Sequence, residues 1–230
     1  MSVTGVVAAL DFEARSLGKR SGQFLLGTSG IGAVNAARAA RSLVAAGAAA
    51  LLSWGVAGAL DPALPCGTAV LPLEVLRQGR RFPTDRLWRA RVAAALEGRV
   101  PLVSGALLTS EMAVAAAALK ARLFEDTGAA AVDMESAAVA EVAAELGLPF
   151  LALRVILDTA RDSLPESVVR SFQAPAAGAA RPRLWPLLRA PGDWGALLRL
   201  AAQYRVAGRA LRACSRLAEP ARLTAPGAGG

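Results

Sequence analysis

Four groups of residues in this chain could take part in chemistry. Gly27-Thr28-Ser29-Gly30-Ile31-Gly32 is a glycine-rich turn between an apolar run and an alanine-rich stretch. Such a turn brings backbone N–H groups and the positive end of the following helix up to an anion. Asn35 stands where a dinucleotide fingerprint has its last glycine, and no Lys-Ser/Thr follows as in a P-loop. A tight structural turn explains the segment as well as a ligand loop does. Ser53-Trp54-Gly55-Val56-Ala57-Gly58 repeats the pattern after the next apolar run. Ligands of open α/β sheets collect at the C-terminal ends of strands, where both turns would lie. Val132-Asp133-Met134-Glu135-Ser136 sets two carboxylates two residues apart. On a strand both would face one side. The plainer alternative is helix capping by Asp133, with Glu135 in the first turn. Asp158 closes the apolar run 150–157. A carboxyl behind apolar residues can hold a proton to donate, and a turn aspartate is the alternative. Glu13 follows the first apolar run and carries no message alone.

The elements that must position these residues can be read from the hydrophobic pattern. Short apolar runs predict strands over 3–10, 23–27, 49–54, 68–73, 100–108, 129–134 and 150–156. Helices are predicted over 33–46, 112–127 and 136–146, with Gly55–Gly58 as a turn. Strands and helices alternate, and the strands are continuous apolar runs rather than alternating ones. This predicts an α/β protein, a three-layer α/β/α domain around a central mixed sheet. After Ser163 the texture changes, with Pro165, Pro175, Pro182, Pro186 and Pro191 breaking the chain. A last helix over 194–217 carries Leu197, Leu198, Ala201, Ala202 and Val206 at helical spacing. Residues 1–165 form the core and 166–230 an Arg-rich helical extension of the same domain.

Composition narrows the function classes. The chain of 230 residues is 54% hydrophobic, enough for a substantial core. It has no histidine, which excludes Ser- or Cys-hydrolase chemistry with a His base and any His-ligated metal site. Cys66 and Cys214 lie in no metal-spacing motif and read as free thiols of a reduced, cytoplasmic protein. Residues 42–60 carry no charge, but their alanines and glycines suit a helix end, a buried strand and a turn better than a membrane span. The net charge of +8 resides in residues 170–230, with ten arginines against Asp193 and Glu219. That asymmetry does not describe a nucleic-acid-binding domain. It fits either a solvated Arg-rich face or a peripheral contact with an anionic membrane.

Taken in order, these motifs resemble the nucleoside phosphorylase/nucleosidase superfamily over residues 5–165. Ala9-Leu10-Asp11-Phe12-Glu13 is similar to its acidic segment after the first strand. Ser29-Gly30-Ile31-Gly32-Ala33-Val34-Asn35 and Trp54-Gly55-Val56-Ala57-Gly58-Ala59-Leu60 are similar to its two glycine turns. Val132-Asp133-Met134-Glu135-Ser136-Ala137-Ala138 resembles its ribose-binding signature, and Arg154-Val155-Ile156-Leu157-Asp158 its base-protonating strand. Arg81-Phe82-Pro83-Thr84-Asp85 with Trp88, Ala160-Arg161-Asp162-Ser163-Leu164-Pro165 and the Arg-rich C-terminal segment resemble the hopanoid-associated phosphorylases, or adenosylhopane nucleosidases. The methylthioadenosine/S-adenosylhomocysteine nucleosidases are similar over the core.

The resemblance implies cleavage of the N-glycosidic bond of a purine nucleoside, without metal or organic cofactor, by a homo-oligomer. It implies Asp158 as proton donor to the base, Met134 and Glu135 against the ribose, and Glu13 as the base for an attacking water. Gly27, Gly30 and Gly32 would form a nucleophile or phosphate loop, and Gly55, Val56 and Gly58 the second turn. Adenosylhopane is the implied substrate, with apolar residues of 166–217 shielding the lipid on the inner membrane face. Methylthioadenosine or S-adenosylhomocysteine is the alternative. Val56 and Ala59 replace Ser and Gly of the nucleosidases, and no counterpart of the phosphorylases' phosphate-binding arginine is evident. Hydrolysis and phosphorolysis both remain open.

Overall fold

The computed structural model describes residues 3–18, 24–164 and 194–218. Ten strands form one mixed sheet: β1 (Thr4–Ala8), β2 (Phe24–Thr28), β3 (Ala50–Ala59), β4 (Ala69–Val70), β5 (Glu74–Arg77), β6 (Arg80–Pro83), β7 (Leu102–Val103), β8 (Ala106–Thr109), β9 (Ala131–Asp133) and β10 (Phe150–Asp158). Six helices are described: α1 (Asp11–Ser16), α2 (Ala33–Ala45), α3 (Arg86–Leu96), α4 (Ala117–Thr127), α5 (Ser136–Glu145) and α6 (Trp194–Leu217). The α/β architecture read from the sequence is the one observed.

Every residue of β10 is buried, as expected for a central strand covered on both faces. Its side chains alternate between the two apolar layers. Phe150, Ala152 and Ile156 pack under α2 and α5. Leu151, Leu153, Val155 and Leu157 face the layer formed with Trp88 and Val92 of α3 and Leu211 and Cys214 of α6. On the first face, α2 contributes Ala36, Ala40 and Leu43, a stripe at i, i+4 and i+7. Alanine keeps the helices close to the sheet at little entropic cost.

β3 determines where the site forms. Its first half, Ala50–Trp54, pairs in parallel with β1. Its end, Gly58 and Ala59, pairs antiparallel with β9. β10 runs beside it throughout, from Leu51 to Gly58. The expected turn at Gly55–Gly58 is therefore extended strand, because β10 supplies ladder partners along its whole length. Gly55 serves close approach instead. Arg154 is its neighbour on β10, and Glu13 reaches over from α1. A β-carbon on Gly55 would lie inside contact distance of both the Arg154 guanidinium and the Glu13 carboxylate.

Other expectations are corrected in detail. The strand expected over 68–73 shortens to β4, and that over 100–108 divides into β7 and β8. The β5–β6 hairpin was not expected, since Arg77, Arg80 and Arg81 hide the strand pattern. Its two-residue loop is Gln78-Gly79, at φ 49° and 76°, the left-handed pair of a tight hairpin. α3 was also missed, although Asp85 caps it by accepting the Trp88 N–H at 2.7 Å. α6 lies where expected but buries a different stripe. Leu200, Ala207, Leu211, Cys214 and Ala218 are inside, whereas Leu198, Ala201, Ala202 and Val206 are exposed. The position of α3 and of the sheet decides which stripe is covered, and the helix alone carries both. The Pro-broken segment expected over 166–193, and the side chain of Leu197, lie outside the described residues. Among the described residues no helix is long and apolar enough to cross a membrane.

Gly55→Ala forces a methyl group between two buried charged side chains. It should lower stability by about 1–3 kcal/mol, the usual cost of overpacking. An unchanged denaturant midpoint would show that Glu13 and Arg154 are not held in this gap.

Candidate active site

The site lies at the gap where β1 ends beside β3 and β9 begins. Arg154, fully buried, is its centre. Its Nε donates to Asp133 Oδ2 at 2.8 Å, and its Nη2 lies 2.7 Å from the same oxygen in an ion pair. Nη2 also donates to the Ser53 and Ser136 hydroxyls, at 2.8 and 3.0 Å. A buried guanidinium costs several kcal/mol unless its donors are satisfied and its charge is matched. Here Asp133 matches the charge and accepts from Nε, and the two serine hydroxyls accept from Nη2. Burial would lower the pKa of Arg154, but the fields of Asp133, Glu135 and Glu13 outweigh it and raise it.

Asp133 and Glu135 take different partners. Asp133 accepts from Arg154, from the Thr109 hydroxyl at 2.7 Å, and from the Ser136 N–H at the start of α5 at 3.1 Å. The capping alternative thus describes Asp133. Glu135 sits at the junction of β9 and α5. Its carboxylate accepts the N–H of Gly32 at 2.8 Å, across 103 residues of chain. Gly32 stands at φ 99°, a conformation that favours glycine. Burial raises the pKa of Glu135 to about 7, with Asp133 and Glu13 adding to the rise and Arg154 and the Gly32 N–H opposing it.

Glu13, on α1, is 2% exposed. Oε2 accepts the N–H groups of Ala9 and Leu10, each at 2.9 Å, and Oε1 accepts that of Val56 at 2.8 Å. A carboxylate has about four acceptor positions, so one position remains for a further donor. Burial raises its pKa, against the pull of Arg154 and the three N–H groups.

Asp158, at the end of β10, is paired with Lys120 of α4. Burial raises its pKa and Lys120 draws it back. Sequence reading missed Lys120. Its one signal is rarity, as one of two lysines beside twenty-four arginines.

Glu13, Val56, Gly58, Met134, Glu135 and Asp158 line one cleft. The structure thus gathers the side chains singled out in the sequence from four separate segments. Ile31, Met112, Val114, Leu164 and Tyr204 add an apolar lining, and none of these was singled out as lining. Tyr204 comes from α6, where its ring meets Phe12 edge-on at 5.1 Å. The glycine loop is arranged differently from the expectation. Gly27 lies in β2, packed against Leu43. The N–H groups of Ser29 and Gly30 donate to Ala8 and Ala9 at 2.8 and 3.1 Å, and that of Gly32 to Glu135. Among the described residues no cluster of His, Cys, Asp and Glu has the arrangement of a metal site.

The chain resembles known proteins in the same region. The model of the phosphorylase superfamily matches residues 12–184. A 5′-methylthioadenosine/S-adenosylhomocysteine nucleosidase of Treponema pallidum is 29% identical, over 76% of this chain and 79% of that protein. One of Mycobacterium tuberculosis is 31% identical over 57% of this chain and 52% of its own length. Among solved structures, the Neisseria meningitidis nucleosidase of the same description, in complex with methylthio-immucillin-A, superposes with a TM-score of 0.71. It is 19% identical and covers 95% of this chain and 99% of its own. Futalosine hydrolase of Helicobacter pylori superposes at 0.66 with 19% identity, covering 93% and 97%. At such identities the superpositions establish the fold, while the family match spans three quarters of the sequence. The chain belongs to the phosphorylase superfamily.

Proposed function

We propose that this protein hydrolyses the N-glycosidic bond of a purine nucleoside. One observation carries the reading: Glu13, Glu135 and Asp158, from three segments of the chain, converge on one cleft beside Met134. A purine leaves poorly as an anion, and protonation at N7 makes it a good leaving group. Asp158 delivers that proton. The C1′–N9 electron pair goes to the base and the ribose becomes oxocarbenium-like. Glu135 accepts the ribose hydroxyls and stabilises the developing positive charge. Glu13 orients a water through its remaining acceptor position and takes its proton as the oxygen bonds to C1′. Water is favoured over phosphate by the glycine loop, whose N–H groups at Ser29, Gly30 and Gly32 are already engaged.

The apolar lining of the cleft supports an apolar 5′ substituent. The activity of the relatives points to methylthioadenosine or S-adenosylhomocysteine. Two observations favour adenosylhopane as a second reading. Met112 lines the cleft and is 66% exposed, so the apolar wall reaches the surface. Arg199, Arg205, Arg209, Arg212 and Arg216 all stand on the exposed side of α6, where each can contribute about 1 kcal/mol on an anionic membrane.

Purified protein should release free adenine from a 5′-substituted adenosine equally with and without phosphate, and a strict phosphate requirement would overturn hydrolysis. Asp158→Asn should lose about 10²–10⁴-fold in turnover while staying folded. Glu135 acts as a carboxylate, so kcat/KM should rise with pH towards about 7 as it ionises. Glu135→Gln should remove that rise and depress kcat more than it raises KM, and a purely KM effect would make Glu135 a binding residue only. Comparing methylthioadenosine with adenosylhopane decides the substituent. Co-sedimentation with anionic vesicles at low salt should accompany adenosylhopane activity and weaken as salt is added. A folded, active protein that ignores such vesicles would exclude the membrane contact.

A further inference from the structure

Lys120 is fully buried, on a helix that otherwise exposes most of its surface. An ammonium has three N–H donors, and the structure gives this one three acceptors. They are the Asp158 carboxylate, the Thr159 carbonyl at 2.8 Å and the Asp162 carbonyl at 2.9 Å. The chain leaving β10 is thereby folded around the cation. Asp162 closes the turn from the other side, accepting the Thr159 N–H at 2.8 Å, the Thr159 hydroxyl at 2.7 Å and Gln203 Nε2 of α6 at 2.8 Å. Because every donor is taken, the ammonium cannot swing to a ligand in the cleft. It acts through Asp158.

We propose that Lys120 is a positioning residue of the reaction centre, aiming the Asp158 carboxyl into the cleft and supplying the counter-charge for the carboxylate left after proton transfer. The inference rests on the nucleosidase reading of Asp158. When the C1′–N9 bond breaks, its electron pair goes to the base and the proton of the Asp158 carboxyl goes to N7. A carboxylate then remains in a buried site, where an unpaired charge is very costly. The Lys120 ammonium neutralises it and keeps all of its own protons. A neutral donor would satisfy the two carbonyls equally well, so a merely structural staple has no need of the charge.

The other titratable groups facing Asp158 are Cys66, Asp162 and Tyr204. Burial first, then Asp158, pushes the Cys66 thiol up to about 11. Burial likewise raises Tyr204, with Glu13 and Asp158 adding to it. Both stay neutral in the working range. Burial would raise Asp162, but its hydrogen bonds from Thr159 and Gln203 and the charge of Lys120 outweigh this and lower it. Asp162 is therefore an anion that Lys120 also balances.

Asp158 must carry its proton to act, so turnover falls as pH rises through its pKa. Removing the Lys120 charge removes an influence that lowers that pKa. In Lys120→Met the alkaline limb of kcat should therefore move to higher pH, by about 1–3 pH units. The acidic plateau should fall about 10–100-fold, part of what a general acid contributes. Lys120→Arg, which keeps the charge, should hold the limb at its wild-type position. In an Asp158→Asn background, Lys120→Met should add little further loss.

A limb that does not move, or equal losses in both backgrounds, would reduce Lys120 to a structural staple. Should the Met variant not fold, the wild type supplies a separate reading. With two lysines in the chain, nitrogen-15 lysine NMR resolves Lys120. Its Nζ resonance should shift when Asp158 is replaced by Asn, as the contact between the two requires. A resonance that ignores that replacement would overturn the proposal. Full turnover by Asp158→Asn would instead remove Asp158 from the mechanism, and a wild type that frees no base from purine nucleosides would overturn the nucleosidase reading, which keeps the failures distinct.

Discussion

One buried guanidinium holds the site together. Arg154 sits mid-strand in β10, where the neighbouring side chains on its face, Ala152 and Ile156, are apolar core. Its presence is tolerable because Asp133 pairs with it and Ser53 and Ser136 take the Nη2 donors. These partners come from β3, β9 and α5. Breaking such a buried pair from one side typically costs 3–5 kcal/mol. The ion pair thus ties the two central strands to the start of α5, the point where Glu135 leaves the sheet. Gly55 completes the arrangement by leaving room on β3 for the guanidinium and the Glu13 carboxylate. The charge also sets the chemistry. Three carboxylates lie within its field, and it offsets part of the burial that raises Glu13 and Glu135.

Much of this was legible in the sequence, for a reason that also marks its limits. Strands buried on both faces read as unbroken apolar runs, so β1, β3, β9 and β10 stood out. Acidic residues at the ends of such runs, Glu135 and Asp158, were visible because they break the pattern, whereas Glu13 stood out only through the family resemblance. Local spacing could separate neither Asp133 from Glu135 nor a strand glycine from a turn glycine. Asp133 meets Arg154 across 21 residues and Glu135 meets Gly32 across 103. Gly55 reads as a turn until β10 is known to lie beside it. Lys120 was invisible for the same reason, since its partner lies 38 residues further along the chain. On α6 both apolar stripes fit a helical period, and tertiary packing alone selects the buried one.

Glu13, Glu135 and Asp158 show how one fold sets three environments for carboxylates lining one cleft. Glu13 receives three backbone N–H groups, which hold it still and favour its charge. Glu135 receives one N–H, and burial first, then Asp133, pushes its pKa up. Asp158 has a discrete cation, Lys120, as its main partner. Where each carboxylate leaves its strand decides which of these partners it can reach, so the sheet's topology distributes the roles.

The same logic bears on α6. Gln203 holds Asp162, and Tyr204, the next residue, lines the cleft and stacks edge-on against Phe12 beside Glu13. The helix therefore touches the surroundings of Asp158 and of Glu13 through adjacent residues. Its inner stripe, Ala207, Leu211 and Cys214, joins the apolar layer with Trp54, Trp88 and Leu153. Burial of that stripe thus also fixes Gln203 and Tyr204 at the cleft. A C-terminal helix that would look like an appendage in the sequence is then a wall of the site. Its docking against the sheet is a condition for the two ends of the cleft, Asp158 and Glu13, to be held in one frame.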